Sequence, residues 1–164
     1  MIHLNQNSIK IRATAATKAD AITQAGELLI ANGNMQPGYI TSMMEREKVA
    51  HTYLGNGIAI PHGLPKDRDL ILETGISVVQ IPTGVEWNPG EQVYLVVGIA
   101  AKSDEHIEIL SNLTHVLDDE AAIQRLSNTS DPKEIIECLT HRSDNGNGAT
   151  AAAPDLAKSI EVTI

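Results

Sequence analysis

The segment Val93-Tyr94-Leu95-Val96-Val97-Gly98-Ile99-Ala100-Ala101 constrains this chain more than any other, because it carries no charged residue and almost no polar one. A strand with one wet face alternates apolar and polar residues. A continuous apolar run belongs to a strand covered on both faces, which requires helices on both sides of its sheet. Helical patterns before and after the strand patterns supply both layers. The order predicts an α/β chain: a three-layer α/β/α sandwich with a central mixed sheet.

The first helix opens at Thr17, a good N-cap with Asp20 three residues on, a variant of the capping box. Ile22, Ala25, Leu28 and Leu29 recur at helical spacing up to Ala31, and Asn32-Gly33-Asn34 ends it. A second helix is expected from Pro37 to Lys48, with Tyr39, Ile40, Met43 and Met44 as its apolar face. Strand patterns follow at Gly57-Ile58-Ala59-Ile60, closed by Pro61, and at Glu73 to Ile81. Pro82-Thr83-Gly84 reads as a turn after which Val85-Glu86-Trp87 pairs back, and Asn88-Pro89-Gly90 as a second turn. Ser103 is placed to cap a helix from Asp104 to Leu117, and Asp119 to Leu126 and Asp131 to Leu139 give two more.

Composition removes several functions. The 164 residues hold 12 Lys and Arg against 21 Asp and Glu, a net charge of −9, so no clustered basic face is available for nucleic acid. No apolar run approaches the ~20 residues of a membrane span, so no direct membrane insertion is expected. The opening Met1-Ile2-His3-Leu4-Asn5-Gln6 lacks the basic-then-apolar order of a signal peptide. Cys138 is the single cysteine, which excludes an intrachain disulfide and a Cys-based zinc site and fits a cytoplasmic protein. It lies in the apolar helical pattern Glu134 to Leu139 and reads as core packing rather than a reactive thiol.

After Arg142 the pattern changes. Ser143 to Pro154 reads SDNGNGATAAAP, small and polar without apolar periodicity. Residues 143–159 are expected to be a flexible linker after a first domain at 1–142. Residues 160–164, Ile-Glu-Val-Thr-Ile, alternate like a strand. They read as the start of a following domain absent from this chain, against a disordered end or an added edge strand.

Histidine is the side chain that is readily neutral, and so nucleophilic, at physiological pH. His62 follows a strand that Pro61 ends, and Gly63 lets the backbone come close to whatever the imidazole meets. That position lies at a sheet rim, where open α/β folds bind ligands; a turn-filling histidine fits the same spacing. His106 lies in the first turn of the Ser103-capped helix, where free N–H groups and the positive dipole end suit an anion; a solvated polar residue fits there too. His115 is about two and a half turns further on, so it faces away from His106.

The run Arg46-Glu47-Lys48 … Tyr53-Leu54-Gly55-Asn56-Gly57-Ile58-Ala59-Ile60-Pro61-His62-Gly63 resembles the phosphorylation motif of enzyme IIA domains of the mannitol/fructose class. These belong to the bacterial phosphoenolpyruvate-dependent sugar phosphotransferase system. Gly84-Val85-Glu86-Trp87, Gly98-Ile99-Ala100-Ala101, Glu105-His106-Ile107 and Leu113 through Asp119 agree, and the likeness covers residues 1–142. The fructose branch is the nearer one. There the IIA domain is commonly the N-terminal part of a diphosphoryl transfer protein with a C-terminal HPr-like domain, which fits the linker. Asn56 stands where mannitol-type members often carry Glu.

The resemblance implies a phosphotransferase that works without a cofactor or metal. His62 would take a phosphoryl group from an HPr-type phosphohistidine, free or fused, and pass it to the IIB cysteine of a fructose-type transporter. His106 would donate a hydrogen bond to the phosphoryl oxygens. Arg46 would bind phosphate oxygens or an acidic partner surface, and Thr52 would donate a further bond. Two other readings compete. One is a regulatory, nitrogen-related IIA-like phosphoprotein that controls partners by binding. The other is a metal-binding domain using His62, His106 and a carboxylate, for which the sequence lacks a paired His spacing.

Overall fold

The computed structural model describes residues 4–102 and 106–140, with the backbone alone at 106–109. Ser103, the 143–159 linker and the 160–164 strand pattern lie outside the described residues. Strand β1 (Ile9–Lys10) leads into helix α1 (Lys18–Ala31), which begins where the capping signal puts it. The extended Thr17 accepts the Asp20 N–H at 3.1 Å, and the Asp20 carboxylate accepts the Ala16 N–H at 3.3 Å. Helix α2 (Tyr39–Val49) follows, then the short strands β2 (Tyr53–Gly55) and β3 (Ile58–Ala59). The long strands β4 (Gly75–Asn88) and β5 (Glu91–Ala100) form a hairpin. Helices α3 (His106–Leu117), α4 (Glu120–Asn128) and α5 (Pro132–Thr140) complete the described chain.

The five strands form one mixed sheet in the order β1-β4-β5-β3-β2. β1 runs parallel to β4 and β3 parallel to β5, whereas β4–β5 and β2–β3 are antiparallel. The apolar run in β5 is covered on both faces, as its sequence requires. Leu95, Val97 and Ile99 join Leu110 and Leu113 of α3 and Leu126 of α4. Val93, Val96 and Ala100 join Ile22, Ala25 and Leu29 of α1 and Met43 of α2. The result is the expected three-layer sandwich. No helix among the described residues is long and apolar enough to cross a membrane.

Two local expectations need correction. Pro82-Thr83-Gly84 does not reverse the chain. It lies within β4, whose register to β5 shifts between the pairs Gln80–Leu95 and Val85–Val93, so extra residues bulge out of a continuing strand. Gly84 supports the bulge with φ +80, a region that a side chain resists. Helix α2 buries Tyr39, Ser42, Met43, Arg46 and Glu47 rather than a purely apolar stripe, and Ile40 and Met44 are half-buried. Its inward face is polar because it holds the backbone of the segment around His62.

Gly98 sets how closely α1 approaches the sheet. A Cβ there would lie 2.7 Å from Ser77 Oγ and 3.0 Å from the Ala25 side chain, while Ser77 Oγ donates to the Ala25 carbonyl at 2.8 Å. Gly98→Ala should therefore push α1 outward and cost about 1–3 kcal/mol, the range of an overpacked core. A thermal melt followed by circular dichroism should show a midpoint lowered by several degrees. An unchanged midpoint would show that α1 does not rest on Gly98.

Candidate active site

β3 ends at Ala59, and the chain reaches His62 still in step with the sheet. The Ile99 N–H donates to the Pro61 carbonyl at 3.0 Å, and His62 pairs with Ile99 as a parallel bridge. Because β3 and β5 are parallel, His62 lies at the rim formed by their C-terminal ends, where α/β sheets bind ligands. The ring is buried, with 8% of the residue exposed. Its Nδ1 lies 2.9 Å from the Ile60 carbonyl oxygen. A carbonyl only accepts, so Nδ1 carries the proton and Nε2 carries the lone pair of the neutral ring.

Helix α2 clamps the residues after His62. Tyr39, Ser42 and Arg46 recur at helical spacing on one face. The Gly63 N–H donates to the Tyr39 hydroxyl at 3.0 Å, and the Leu64 N–H donates to Ser42 Oγ at 2.8 Å. Burial raises the Tyr39 pKa, partly offset by its Gly63 bond, so the phenol stays neutral and serves as an acceptor. Glycine is needed at 63 because a Cβ there would land on the Tyr39 ring. Ser42 has no role in a purely apolar reading of this helix, and Tyr39 enters that reading only by its ring. The signal for them is chemical: a buried phenol and a buried hydroxyl each need a partner, and both lie on the face that carries Arg46.

Arg46 is only 1% exposed, so in this conformation it does not offer an acidic partner surface its guanidinium. Its Nη1 donates to the Ala50 carbonyl at 2.6 Å. Burial lowers its pKa and neighbouring Glu47 opposes that shift; an arginine nevertheless remains a cation. Thr52 is buried, and its hydroxyl donates to Glu47 Oε1 at 2.6 Å while its N–H donates to Glu47 Oε2 at 3.0 Å. The single hydroxyl proton of Thr52 is thus directed to Glu47, not outward as the resemblance would have it. Glu47 also accepts the Trp87 indole N–H at 3.0 Å and lies 3.5 Å from Lys18 Nζ. The sequence motif contains Glu47 without showing this use of it.

α3 begins at His106, shortly after β5 ends beside Ile99 and His62. The His106 side chain lies outside the described residues. Asn56 has φ +50, and its amide donates to the carbonyl of Leu117, the last residue of α3, at 2.8 Å. A Glu at 56 would have no proton to give that carbonyl. Cys138 is half-buried and burial raises its pKa, consistent with an unreactive thiol. It lines a groove of about 860 Å³ between α3, α4 and α5 with His115, Asp119 and Arg125, and that groove shares no residue with the His62 site. Among the described residues no group of three His, Cys, Asp or Glu is placed to hold a metal ion.

Comparison with known proteins places this geometry. Residues 2–142 match the family model described as "Phosphoenolpyruvate-dependent sugar phosphotransferase system, EIIA 2". The chain is 55% identical over 169 residues to a multiphosphoryl transfer protein of Rhodobacter capsulatus, covering all of this chain and 20% of the relative. It is 42% identical over 144 residues to the mannitol-specific EIICBA component of Escherichia coli, covering 87% of this chain and 23% of the relative. The chain thus spans about a fifth of the length of these relatives. Among solved structures, enzyme IIAMTL in its complex with phosphorylated enzyme IIBMTL from Escherichia coli superposes with a TM-score of 0.80 at 40% identity. That match covers 87% of this chain and all of the other. A complete domain match of this kind, on the expected sandwich with His62 at its rim, shows that the chain belongs to the EIIA 2 family of the sugar phosphotransferase system and is a phosphoryl-transferring IIA component.

Proposed function

We propose that Nε2 of His62 accepts a phosphoryl group from the phosphohistidine of an HPr-type protein or fused domain. The group then passes to the cysteine thiolate of a IIB domain in a fructose-type transporter, in the cytoplasm. The observation that carries this reading is the 2.9 Å contact between His62 Nδ1 and the Ile60 carbonyl. It leaves the Nε2 pair as the nucleophile. In the first step that pair forms a bond to phosphorus while the donor's P–N bond breaks and the donor imidazole keeps the electrons. As Nε2 gives up its pair the ring becomes more positive, so Nδ1–H becomes a stronger donor to Ile60. That hydrogen bond strengthens in the transition state, which is what accelerates a step. In the second step the thiolate attacks phosphorus and His62 leaves as the neutral ring. Both steps exchange one good nucleophile for another, so the protein supplies position and charge stabilisation.

Arg46 adds a fixed positive charge on the α2 face that holds the His62 loop, suited to phosphoryl oxygens. His106, at the start of α3, stands where free helix N–H groups gather, which suits the same oxygens. For the partners, support comes from the multiphosphoryl transfer protein and from the IIA–IIB complex among the relatives. The fructose assignment rests on the higher identity to the former than to the mannitol component, together with Asn56.

Incubation with phosphoenolpyruvate, enzyme I and an HPr-type protein should add one phosphoryl group, mapped by mass spectrometry to His62. His62→Ala should abolish it with the fold intact, and phosphate on His51 or His115 would overturn the assignment. Transfer should then be rapid to a fructose-type IIB domain; retention of the group before any IIB domain would favour the regulatory reading. His106→Ala should still accept phosphate but pass it on about 10²–10³-fold more slowly, the usual effect of removing one charge-stabilising donor. Stopped transfer assays check this, and a wild-type rate would remove His106 from the site.

A further inference from the structure

Glu47 is the acceptor at the centre of four donors from three separate segments. Its Oε1 takes the Thr52 hydroxyl, and its Oε2 takes the Thr52 N–H and the Trp87 indole, with Lys18 Nζ at 3.5 Å. Lys18 opens α1, Thr52 precedes β2 and Trp87 lies in β4, while Glu47 itself belongs to α2. Only 8% of Glu47 is exposed. A buried carboxylate is expensive and is tolerated when its oxygens are fully engaged, as they are here. Well-packed apolar residues in place of such a network as a whole are often no less stable, whereas removing Glu47 alone strands its donors, so the use of the network is better sought in what it positions.

The bonds continue beyond Thr52. The Thr52 carbonyl accepts the Ile60 N–H at 3.0 Å, and the Ile60 carbonyl accepts His62 Nδ1–H at 2.9 Å. We propose that Glu47 is a positioning residue for phosphoryl transfer: through Thr52 it holds Ile60, and through Ile60 it fixes the imidazole tautomer in which Nε2 is unprotonated. This rests on His62 being the acceptor. Glu47 touches no reacting atom. Its effect is to hold Ile60 from the β2 side, while the Pro61 bond and the His62 bridge to Ile99 hold the segment from the β5 side, so that the Ile60 carbonyl stays on the ring. The Lys18 ammonium lies 5.7 Å from the Trp87 ring centre and closes the same cluster from the solvent side.

The test pairs a spectrum with a rate. In wild-type protein carrying ¹⁵N-labelled histidine, the His62 imidazole should appear as one tautomer, protonated at Nδ1. Glu47→Ala should give averaged tautomers and accept phosphate from a phosphorylated HPr-type protein about ten- to a hundredfold more slowly, the scale of a small misplacement. Glu47→Gln keeps an oxygen for the Thr52 N–H and should restore both the single tautomer and most of the rate. A folded Glu47→Ala with the wild-type tautomer and rate would overturn the proposal. Where Glu47→Ala does not fold, Thr52→Val, which removes the hydroxyl bond alone, should shift both readouts in the same direction; no shift in either overturns it. Should wild-type protein itself take no phosphate on His62, the reading of the acceptor fails instead.

Discussion

Ile60 gives its N–H to Thr52 and its carbonyl to His62, and through this one residue strand pairing becomes imidazole chemistry. The pairing of β3 with β5 leads the chain to the rim, where β3 ends at Ala59 and His62 still bridges to Ile99. A one-residue slip of that register would turn the ring to the other face of the sheet. The fold therefore determines both where the imidazole sits and which of its nitrogens carries the proton.

Three kinds of constraint converge on that segment. β5, buried on both faces, is the rigid partner against which Pro61 and His62 register. α2 supplies acceptors to the two residues that follow the histidine, and its Glu47 holds Thr52, whose carbonyl takes the Ile60 N–H. None of these contacts is strong alone, since a hydrogen bond contributes roughly 1 kcal/mol net. Their combined effect is to limit orientation, and transfer between two bulky partners depends on orientation.

Much of this was legible in the sequence. The uncharged run in β5 implied the two helical layers, Thr17 and Asp119 announced helix starts, and the Pro-His-Gly run marked the rim. Reading Pro82 to Gly84 as a turn failed because a proline and a glycine punctuate a bulge as readily as a reversal, and pairing with β5 decides between them. The inward face of α2 was misread for a related reason. Tyr39 passes for an apolar residue, and a buried Ser, Arg or Glu looks solvated until its partner is known. Those partners lie in several segments, up to 40 residues away in the chain. Thr52 illustrates the same limit: its type suited a phosphoryl donor, but its hydroxyl is committed to Glu47.

The central claim is that the Ile60 carbonyl selects the nucleophilic nitrogen. Enzymatic phosphorylation of ¹⁵N-histidine-labelled protein, followed by ³¹P and ¹⁵N spectroscopy, identifies the nitrogen bonded to phosphorus. Phosphorus on Nε2, with Nδ1 still protonated, is the predicted result. Phosphorus on Nδ1 of His62 would mean that the Ile60 bond breaks before transfer, and would contradict the account.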